Sequence, residues 1–127
     1  MKIVITDFIN IAPEDREKLE KFPDITIYDD TINDPKILSE RLRDAEIATA
    51  NFIDLTGDII TSAPKLKYII SPAKGYDWID VKKATEKGIK VLNCPTFNSQ
   101  AVAEHAIGLM FAVERKIVQA HNSILKG

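Results

Sequence analysis

The chain has 127 residues, of which 45% are hydrophobic and 28% charged, and its formal net charge is −2. This length and composition are typical of one globular domain that folds without a disulfide or a metal. Because the charge is nearly balanced and no long apolar run is present, we expect a cytoplasmic protein with no nucleic-acid or membrane partner.

Short apolar, β-branched runs alternate with helical patterns along the chain. The runs predict five strands, at Lys2–Thr6, Ile25–Tyr28, Ile47–Ala50, Tyr68–Ser71 and Lys90–Asn93. The intervening patterns predict helices near Glu14–Phe22, Pro35–Asp44, Gly57–Ser62 and Val81–Lys87, and one long helix from about Ser99 to Leu125.

Residues at the helix ends support these assignments. Pro13 and Pro35 suit first-turn positions, because a proline has no N–H group to leave unpaired there. Asp34 and Asp80 precede predicted helices and can accept hydrogen bonds from free backbone N–H groups. Gly88 follows the fourth helix, where a residue in the left-handed conformation would end it.

Strands that alternate with helices predict an α/β fold with a parallel sheet and helices on both faces. Right-handed crossovers leave few topologies, and we predict a flavodoxin-like, doubly wound, five-stranded sheet of order 2-1-3-4-5. This domain would span residues 1–98, and residues 99–127 would form the long C-terminal helix. Ligands of such sheets bind beyond the carboxyl ends of the strands. The loops at these ends are residues 7–10, 51–55, 72–77 and 95–98.

The loop after the fourth predicted strand has features of an anion site. Gly75 lies between a strand that ends at Ser71 and a helix that Asp80 can cap. A glycine lets the backbone approach a ligand without an intervening Cβ atom, and successive N–H groups that point into a concavity bind anions. A tight turn without a ligand would also favour glycine, so the spacing alone leaves both interpretations open.

Four segments in the second half of the chain form one ordered pattern: Leu66–Ser71, Gly75–Asp80, Ala84–Pro95 and Ala101–Ala106. Together they resemble the D-isomer-specific 2-hydroxyacid dehydrogenases, which are NAD(P)-dependent oxidoreductases, in their N-terminal substrate-binding (catalytic) domain. The resemblance implies that the backbone N–H groups of Lys74 and Gly75 bind the carboxylate of a 2-hydroxy or 2-oxo acid. It also implies that Asn51 and Phe52 line the same pocket.

The chain departs from the family in its glycines and in what it lacks. Ala73 and Thr96 stand where the family commonly has glycine, so both positions gain a Cβ atom that would narrow the pocket or alter cofactor approach. The family's dinucleotide fingerprint and its catalytic arginine, glutamate and histidine lie downstream of the matched segments. The resemblance therefore implies a truncated, substrate-binding half without an NAD(P) site or catalytic residues. No two of its five glycines are spaced as in G-x-G-x-x-G; they are Gly57, Gly75, Gly88, Gly108 and Gly127.

Three other reactive side chains have structural interpretations. His105, beside Glu104, matches a packing residue of the family, and we do not expect it to act as a base. His121 and the single cysteine, Cys94, lie too far from it in sequence to suggest a metal cluster. Cys94 follows a strand and is interpreted as a small core residue.

The last predicted helix is apolar on nearly all sides between Ala101 and Val113. A helix that covers one face of a sheet should carry a single apolar stripe, and the resemblance implies that the family's dimer contact lies here. We therefore expect a homodimer, although the helix folding back onto its own sheet and a monomer are alternatives. The expected contact residues are Val102, Ile107, Met110, Phe111 and Ile117.

The sequence leaves two alternatives to this function. The main alternative is a standalone flavodoxin-like binding or interaction module that dimerises through its C-terminal helix. A different flavodoxin-like protein is disfavoured, because Asp7–Asn10 lacks the hydroxyl groups of a flavin phosphate loop. A phosphorylated receiver would need an aspartate where Asn51 stands and a lysine where Pro95 and Thr96 follow the fifth strand.

Overall fold

The structure, a computed structural model, describes residues 1–96 and 98–126; Phe97, in the fourth predicted loop, and Gly127 lie outside the described residues. Its strands form one parallel sheet of order β2-β1-β3-β4-β5, which confirms the predicted topology. The strands are β1 (Ile3–Ile5), β2 (Ile25–Ile27), β3 (Ile47–Thr49), β4 (Tyr68–Ile70) and β5 (Lys90–Leu92).

The helices of the sheet domain begin within one residue of their predicted starts. The Asp34 side chain accepts hydrogen bonds from the Lys36 and Ile37 backbone N–H groups at 2.9 and 3.1 Å, which confirms it as a cap. Asp80 likewise accepts from the Lys83 N–H at 2.9 Å. Gly88 has a φ of 72°, as expected of a residue that ends a helix. These helices are α1 (Pro13–Glu20), α2 (Pro35–Leu42), α3 (Gly57–Ser62) and α4 (Val81–Glu86).

The core lies between one face of the sheet and the layer formed by α2, α3 and α4. The central residues of neighbouring strands, Val4, Ala48 and Ile69, are in register and fully buried. Leu38 and Leu42 are also fully buried, because residues four apart share one face of a helix. By contrast, α1 has no buried residue. This packing holds the carboxyl ends of the strands in place, and the loops at which ligands of such sheets bind follow these ends.

The chain divides into two compact units, Met1–Pro95 and Thr96–Gly127, and a functional boundary at residue 98 stays a prediction. The single long helix expected in the second unit is divided into α5 (Ser99–Glu114) and α6 (Ile117–Lys126). The division occurs because Lys116 adopts a left-handed φ of 52° and its N–H donates to the Val113 carbonyl at 3.1 Å. Within the described ranges, no helix is long and apolar enough to cross a membrane.

Candidate functional site

The buried polar side chains of the described residues lie at one edge of the sheet. Thr6 and Asp7 follow β1, Thr49 ends β3 and Ser71 follows β4. Neighbouring parallel strands end at the same edge, and this is the edge where α/β sheets bind ligands. A buried polar group is unfavourable unless it is hydrogen-bonded, so the partners of these side chains describe how the edge is organised.

The loop after β3 is held by the carboxylate of Asp7. The Phe52 backbone N–H donates to Asp7 Oδ2 at 2.6 Å, and the Asn51 N–H donates to Asp7 Oδ1 at 3.2 Å. The Asn51 side-chain amide also donates to the Phe8 carbonyl at 3.3 Å. Burial raises the pKa of Asp7, while the hydrogen bonds from Phe52 and Asn51 oppose that rise. The backbone of the first two loop residues is therefore tied to the end of β1.

The loop after β4 has three consecutive carbonyl groups held by fixed donors. The Ala73 carbonyl accepts from the Cys94 N–H at 2.9 Å, and the Lys74 carbonyl accepts from the Asn93 side chain at 2.7 Å. The Gly75 carbonyl accepts from the buried Ser71 hydroxyl at 2.7 Å. In a trans peptide the N–H points opposite to the preceding carbonyl. The Lys74 and Gly75 N–H groups therefore point away from the segment that follows β5.

The two loops meet through Trp78 and Leu55. The indole N–H of Trp78 donates to the Ala50 carbonyl at 3.0 Å. The Leu55 N–H donates to the Trp78 carbonyl at 2.9 Å, and the Asp80 N–H donates to the Leu55 carbonyl at 3.0 Å. Between the loops lies a cavity of about 400 Å³, lined by Asn51, Phe52, Asp54, Ala73 and Trp78.

Two of the four predicted site residues line this cavity. Asn51 and Phe52 do so, whereas Lys74 and Gly75 are not among its lining residues but directly follow Ala73, which is. Asp54 and Trp78, which line the cavity, and Asp7, which holds the loop after β3, are not among the predicted site residues. Trp78 lies within a segment that matches the family, and Asp7 directly follows a strand at the ligand edge, so both carried a usable signal.

The backbone conformation at Gly75 does not require glycine, because its φ is not positive. In the part of the chain that the structure describes, Gly88 is the glycine with a positive φ. A Cβ atom at Gly75 would lie 3.4 Å from the Trp78 ring and 3.5 Å from Asp77 Oδ2. These are close to ordinary van der Waals contacts, so an alanine fits here with little adjustment. The glycine therefore chiefly leaves the backbone uncovered.

Three expectations about reactive side chains can be compared with the structure. Cys94 is exposed, so its interpretation as a core residue is wrong; it follows β5, an edge strand with a neighbour on one side only. His105 and His121 are exposed as well. Among residues 1–96 and 98–126, no three His, Cys, Asp or Glu side chains are grouped so that they could hold a metal ion.

Comparison with known proteins places this fold and loop arrangement in a family. The sequence is 36% identical over 129 residues to a glyoxylate reductase of Thermococcus litoralis, covering 99% of this chain and 38% of the relative. It is 38% identical over 129 residues to a D-3-phosphoglycerate dehydrogenase of Methanocaldococcus jannaschii, covering 100% of this chain and 24% of the relative.

A solved structure agrees with these relatives. An acyclic imino acid reductase in complex with NADPH and D-arginine superimposes with a TM-score of 0.89 at 35% identity, covering 100% of this chain and 41% of that one. The chain thus spans less than half the length of each of these proteins. Residues 3–127 match the family model described as D-isomer specific 2-hydroxyacid dehydrogenase, catalytic domain. The chain therefore belongs to the D-isomer-specific 2-hydroxyacid dehydrogenase family.

Proposed function

We propose that this chain is the substrate-binding half of a D-2-hydroxyacid dehydrogenase and binds the carboxylate of a small 2-hydroxy or 2-oxo acid. The N–H groups of Lys74 and Gly75 hold the carboxylate, and Asn51 and Phe52 form the facing wall. The observation that carries the proposal is the pinning of the Ala73 and Lys74 carbonyls beside β5. Because each N–H points opposite to the preceding carbonyl, the Lys74 and Gly75 N–H groups face away from β5. The loop after β3 lies on the side of β4 opposite to β5, so a carboxylate between the two loops can accept from these groups.

We further infer that the acid carries no phosphate group. In the part of the chain that the structure describes, the cavity between the loops is lined by the acidic side chain of Asp54 and by no basic side chain. An adjoining hollow is lined by Asp54, Asp77 and Asp80. A phosphate dianion beside these carboxylates would be repelled, since like charges at short range disfavour each other's ionised forms. Glyoxylate, pyruvate and hydroxypyruvate fit this charge pattern better than phosphorylated acids do.

Binding, and not hydride transfer, is assigned to these 127 residues. NAD(P) supplies the hydride chemistry of the family, and it is held by glycine-rich turns that let the backbone approach the pyrophosphate. The five glycines of this sequence include no pair with that spacing, so its residues do not fit the cofactor. We expect the chain alone to cause no loss of NADH absorbance with glyoxylate, pyruvate or hydroxypyruvate.

The carboxylate site is tested by titrating the labelled chain with pyruvate and following backbone amide signals by NMR. The Lys74 and Gly75 signals should move at millimolar ligand, and 3-phosphoglycerate should bind more weakly. Affinity should be low, because one loop alone must offset the entropy lost on binding. A Kd of about 10 mM corresponds to a binding free energy of about −3 kcal/mol. If neither amide signal shifts at about 10 mM pyruvate, the site is rejected.

A matched pair of glycine variants shows whether the uncovered backbone matters. Gly75→Ala adds a methyl group beside the proposed carboxylate and should raise the Kd for pyruvate about tenfold, or about 1.4 kcal/mol. Gly108→Ala adds the same methyl group in α5, where no described atom beyond its chain neighbours and the helix's own backbone lies within 4 Å, and should leave the Kd unchanged. Equal Kd values for both variants would contradict the role of Gly75.

A second candidate is an interaction module that works through its C-terminal helices. It is favoured by the exposure of the five residues expected to form contacts, each with 53% to 58% of its surface accessible. Large exposed apolar surfaces mark association sites. We propose that these residues mediate homodimerisation in either case. An absent pyruvate response together with tight self-association would favour the module. The five residues are Val102, Ile107, Met110, Phe111 and Ile117.

A further inference from the structure

Asp7 is a fully buried carboxylate at the end of β1. Burial of an ionised carboxylate is unfavourable unless hydrogen bonds replace its water. Here both oxygens have donors: Phe52 N–H at 2.6 Å on Oδ2, and Asn51 N–H at 3.2 Å on Oδ1. Thr6 Oγ1 lies 3.2 Å from Oδ1 as well. Because it has no accessible surface and its oxygens are occupied, Asp7 is not placed to touch a ligand itself.

The rest of the loop after β3 has other anchors. Asn33 and Asp54 exchange two hydrogen bonds, from the Asn33 side chain to Asp54 Oδ2 at 2.8 Å and from the Asp54 N–H to Asn33 Oδ1 at 2.9 Å. Leu55 pairs with the loop after β4, and the Ile53 side chain is fully buried. These anchors act on residues 53–55. The backbone of Asn51 and Phe52 is held by Asp7 instead.

Asn51 and Phe52 are also the two predicted site residues that line the cavity between the loops. Phe52 is 65% exposed, so packing of its side chain contributes little to its position. The short hydrogen bond from its backbone to Asp7 contributes more, since bonds to a charged acceptor are stronger than neutral ones. A binding wall that is held before the ligand arrives loses less entropy when the ligand binds.

We propose that Asp7 is a positioning residue, whose buried carboxylate holds the backbone of Asn51 and Phe52 in place as one wall of the acid-binding cavity. The role in ligand binding rests on the proposed function, whereas the role in holding the loop does not. Asparagine at this position has one oxygen to accept a hydrogen bond and an NH₂ group that faces the second N–H, so at least one of the two bonds is lost.

The test compares Asp7→Asn with Asp30→Asn. Asp30 lies at the same end of the sheet and pairs with Arg41 at 2.7 Å through both oxygens, but it makes no side-chain bond to residues 51–55 in the described part of the chain. Both variants should lower the Tm. Only Asp7→Asn should accelerate amide hydrogen exchange at Asn51 and Phe52, by about tenfold or more, and raise the Kd for pyruvate about tenfold.

Each outcome decides the proposal. If Asp7→Asn lowers the Tm but leaves exchange at Asn51 and Phe52 unchanged, the Asp7 side chain only stabilises the fold. That result would overturn the proposal. Unaltered pyruvate affinity despite faster exchange would overturn the binding role. If the wild-type chain binds no pyruvate, the proposed function fails, and exchange alone decides whether Asp7 holds the loop.

A measurement on the wild-type chain covers the case in which Asp7→Asn does not fold. The Ala50 N–H donates to the Ile70 carbonyl at 3.0 Å within the sheet and serves as a reference for slow exchange. The Phe52 N–H lies in a loop, and it should exchange within about tenfold of the Ala50 rate if Asp7 holds it. Rapid exchange at Phe52, typical of a loop amide open to water, would overturn the proposal.

Discussion

Two threonines at the ligand edge of the sheet differ in how their hydroxyl groups are used. Thr6 Oγ1 donates to the Thr49 carbonyl and also lies 3.2 Å from Asp7 Oδ1. Thr49 Oγ1 is buried and has no hydrogen-bond partner among the residues that the structure describes. A buried hydroxyl without a partner lowers stability by about 1–3 kcal/mol. The two side chains should therefore respond oppositely to the same replacement.

Thr49→Val should leave the free energy of unfolding unchanged or raise it by about 1 kcal/mol, because it removes an unpaired hydroxyl and keeps the shape of the side chain. Thr6→Val should lower it by about 1–2 kcal/mol, because it removes the hydrogen bond that the Thr6 hydroxyl donates to the Thr49 carbonyl. Urea unfolding of both variants measures the difference. Equal losses would mean that the Thr49 hydroxyl is in fact bonded.

The pKa of Asp7 predicts a pH effect of defined sign. Burial raises this pKa above the usual 3.8, so the folded chain binds the Asp7 proton more tightly than the unfolded chain does. Asp7 therefore contributes stability below about 3.8 that is lost as the pH rises through its raised pKa. Relative to Asp7→Asn, the wild type should gain unfolding free energy as the pH falls from about 7 towards about 4.

Urea unfolding of the wild type and Asp7→Asn at several pH values tests this sign. Other carboxylates whose hydrogen bonds lower their pKa, such as Asp30 beside Arg41 and Glu46 beside Lys67, lose stability in acid. They are present in both proteins, so their effect cancels in the difference. A difference that does not change with pH, or that favours Asp7→Asn in acid, would contradict the raised pKa.

Among the helices, the sequence predicted the starts better than the ends. Pro35 after Asp34 and Val81 after Asp80 mark helix starts through local chemistry, and α2 and α4 begin there. The end of α5 has no glycine or proline to mark it. There Lys116 adopts the left-handed conformation, although lysine has no preference for it. The helical pattern of the sequence consequently runs through a real break.

The break at Lys116 predicts a stabilising glycine. A non-glycine residue in the left-handed region is disfavoured by about 1–2 kcal/mol, and glycine is the preferred residue at such a helix end. After the larger backbone entropy of glycine is subtracted, Lys116→Gly should raise the unfolding free energy by up to about 1 kcal/mol. The measurement is thermal or urea unfolding followed by circular dichroism.

The control is Gln119→Gly, which lies on the exposed surface of α6. It should lower the unfolding free energy by about 0.5–1 kcal/mol, because glycine is unfavourable inside a helix. If Lys116→Gly is as destabilising as Gln119→Gly, residues 115 and 116 are helical in solution and α5 continues into α6.

At the scale of the whole molecule, the described C-terminal helices present apolar side chains that nothing covers. Residues of α5 and α6 that are apolar and at least half exposed include Leu109, Val113, Val118 and Ile124, in addition to the five expected contact residues. Neither helix has a buried residue. An apolar surface of this extent predicts association.

Size-exclusion chromatography with light scattering should therefore give a mass that rises towards that of a dimer with concentration. The double variant Ile107→Glu with Met110→Glu should remain monomeric, because two charges in an apolar contact must lose their water. Gln119→Glu adds charge at an exposed polar position and should still associate. A monomeric wild type at high concentration would reject the homodimer.

The sequence by itself determined the alternation of strands and helices, the parallel sheet and the family, because apolar periodicity, caps and ordered motifs are local properties of the chain. The resemblance also pointed to Asn51 and Phe52, which line the cavity between the loops; their role in binding stays a prediction. Only the tertiary structure decided that a carboxylate at residue 7 binds amides at residues 51 and 52, and that Cys94 lies exposed beside an edge strand. Those outcomes depend on contacts between distant segments, which no local pattern specifies.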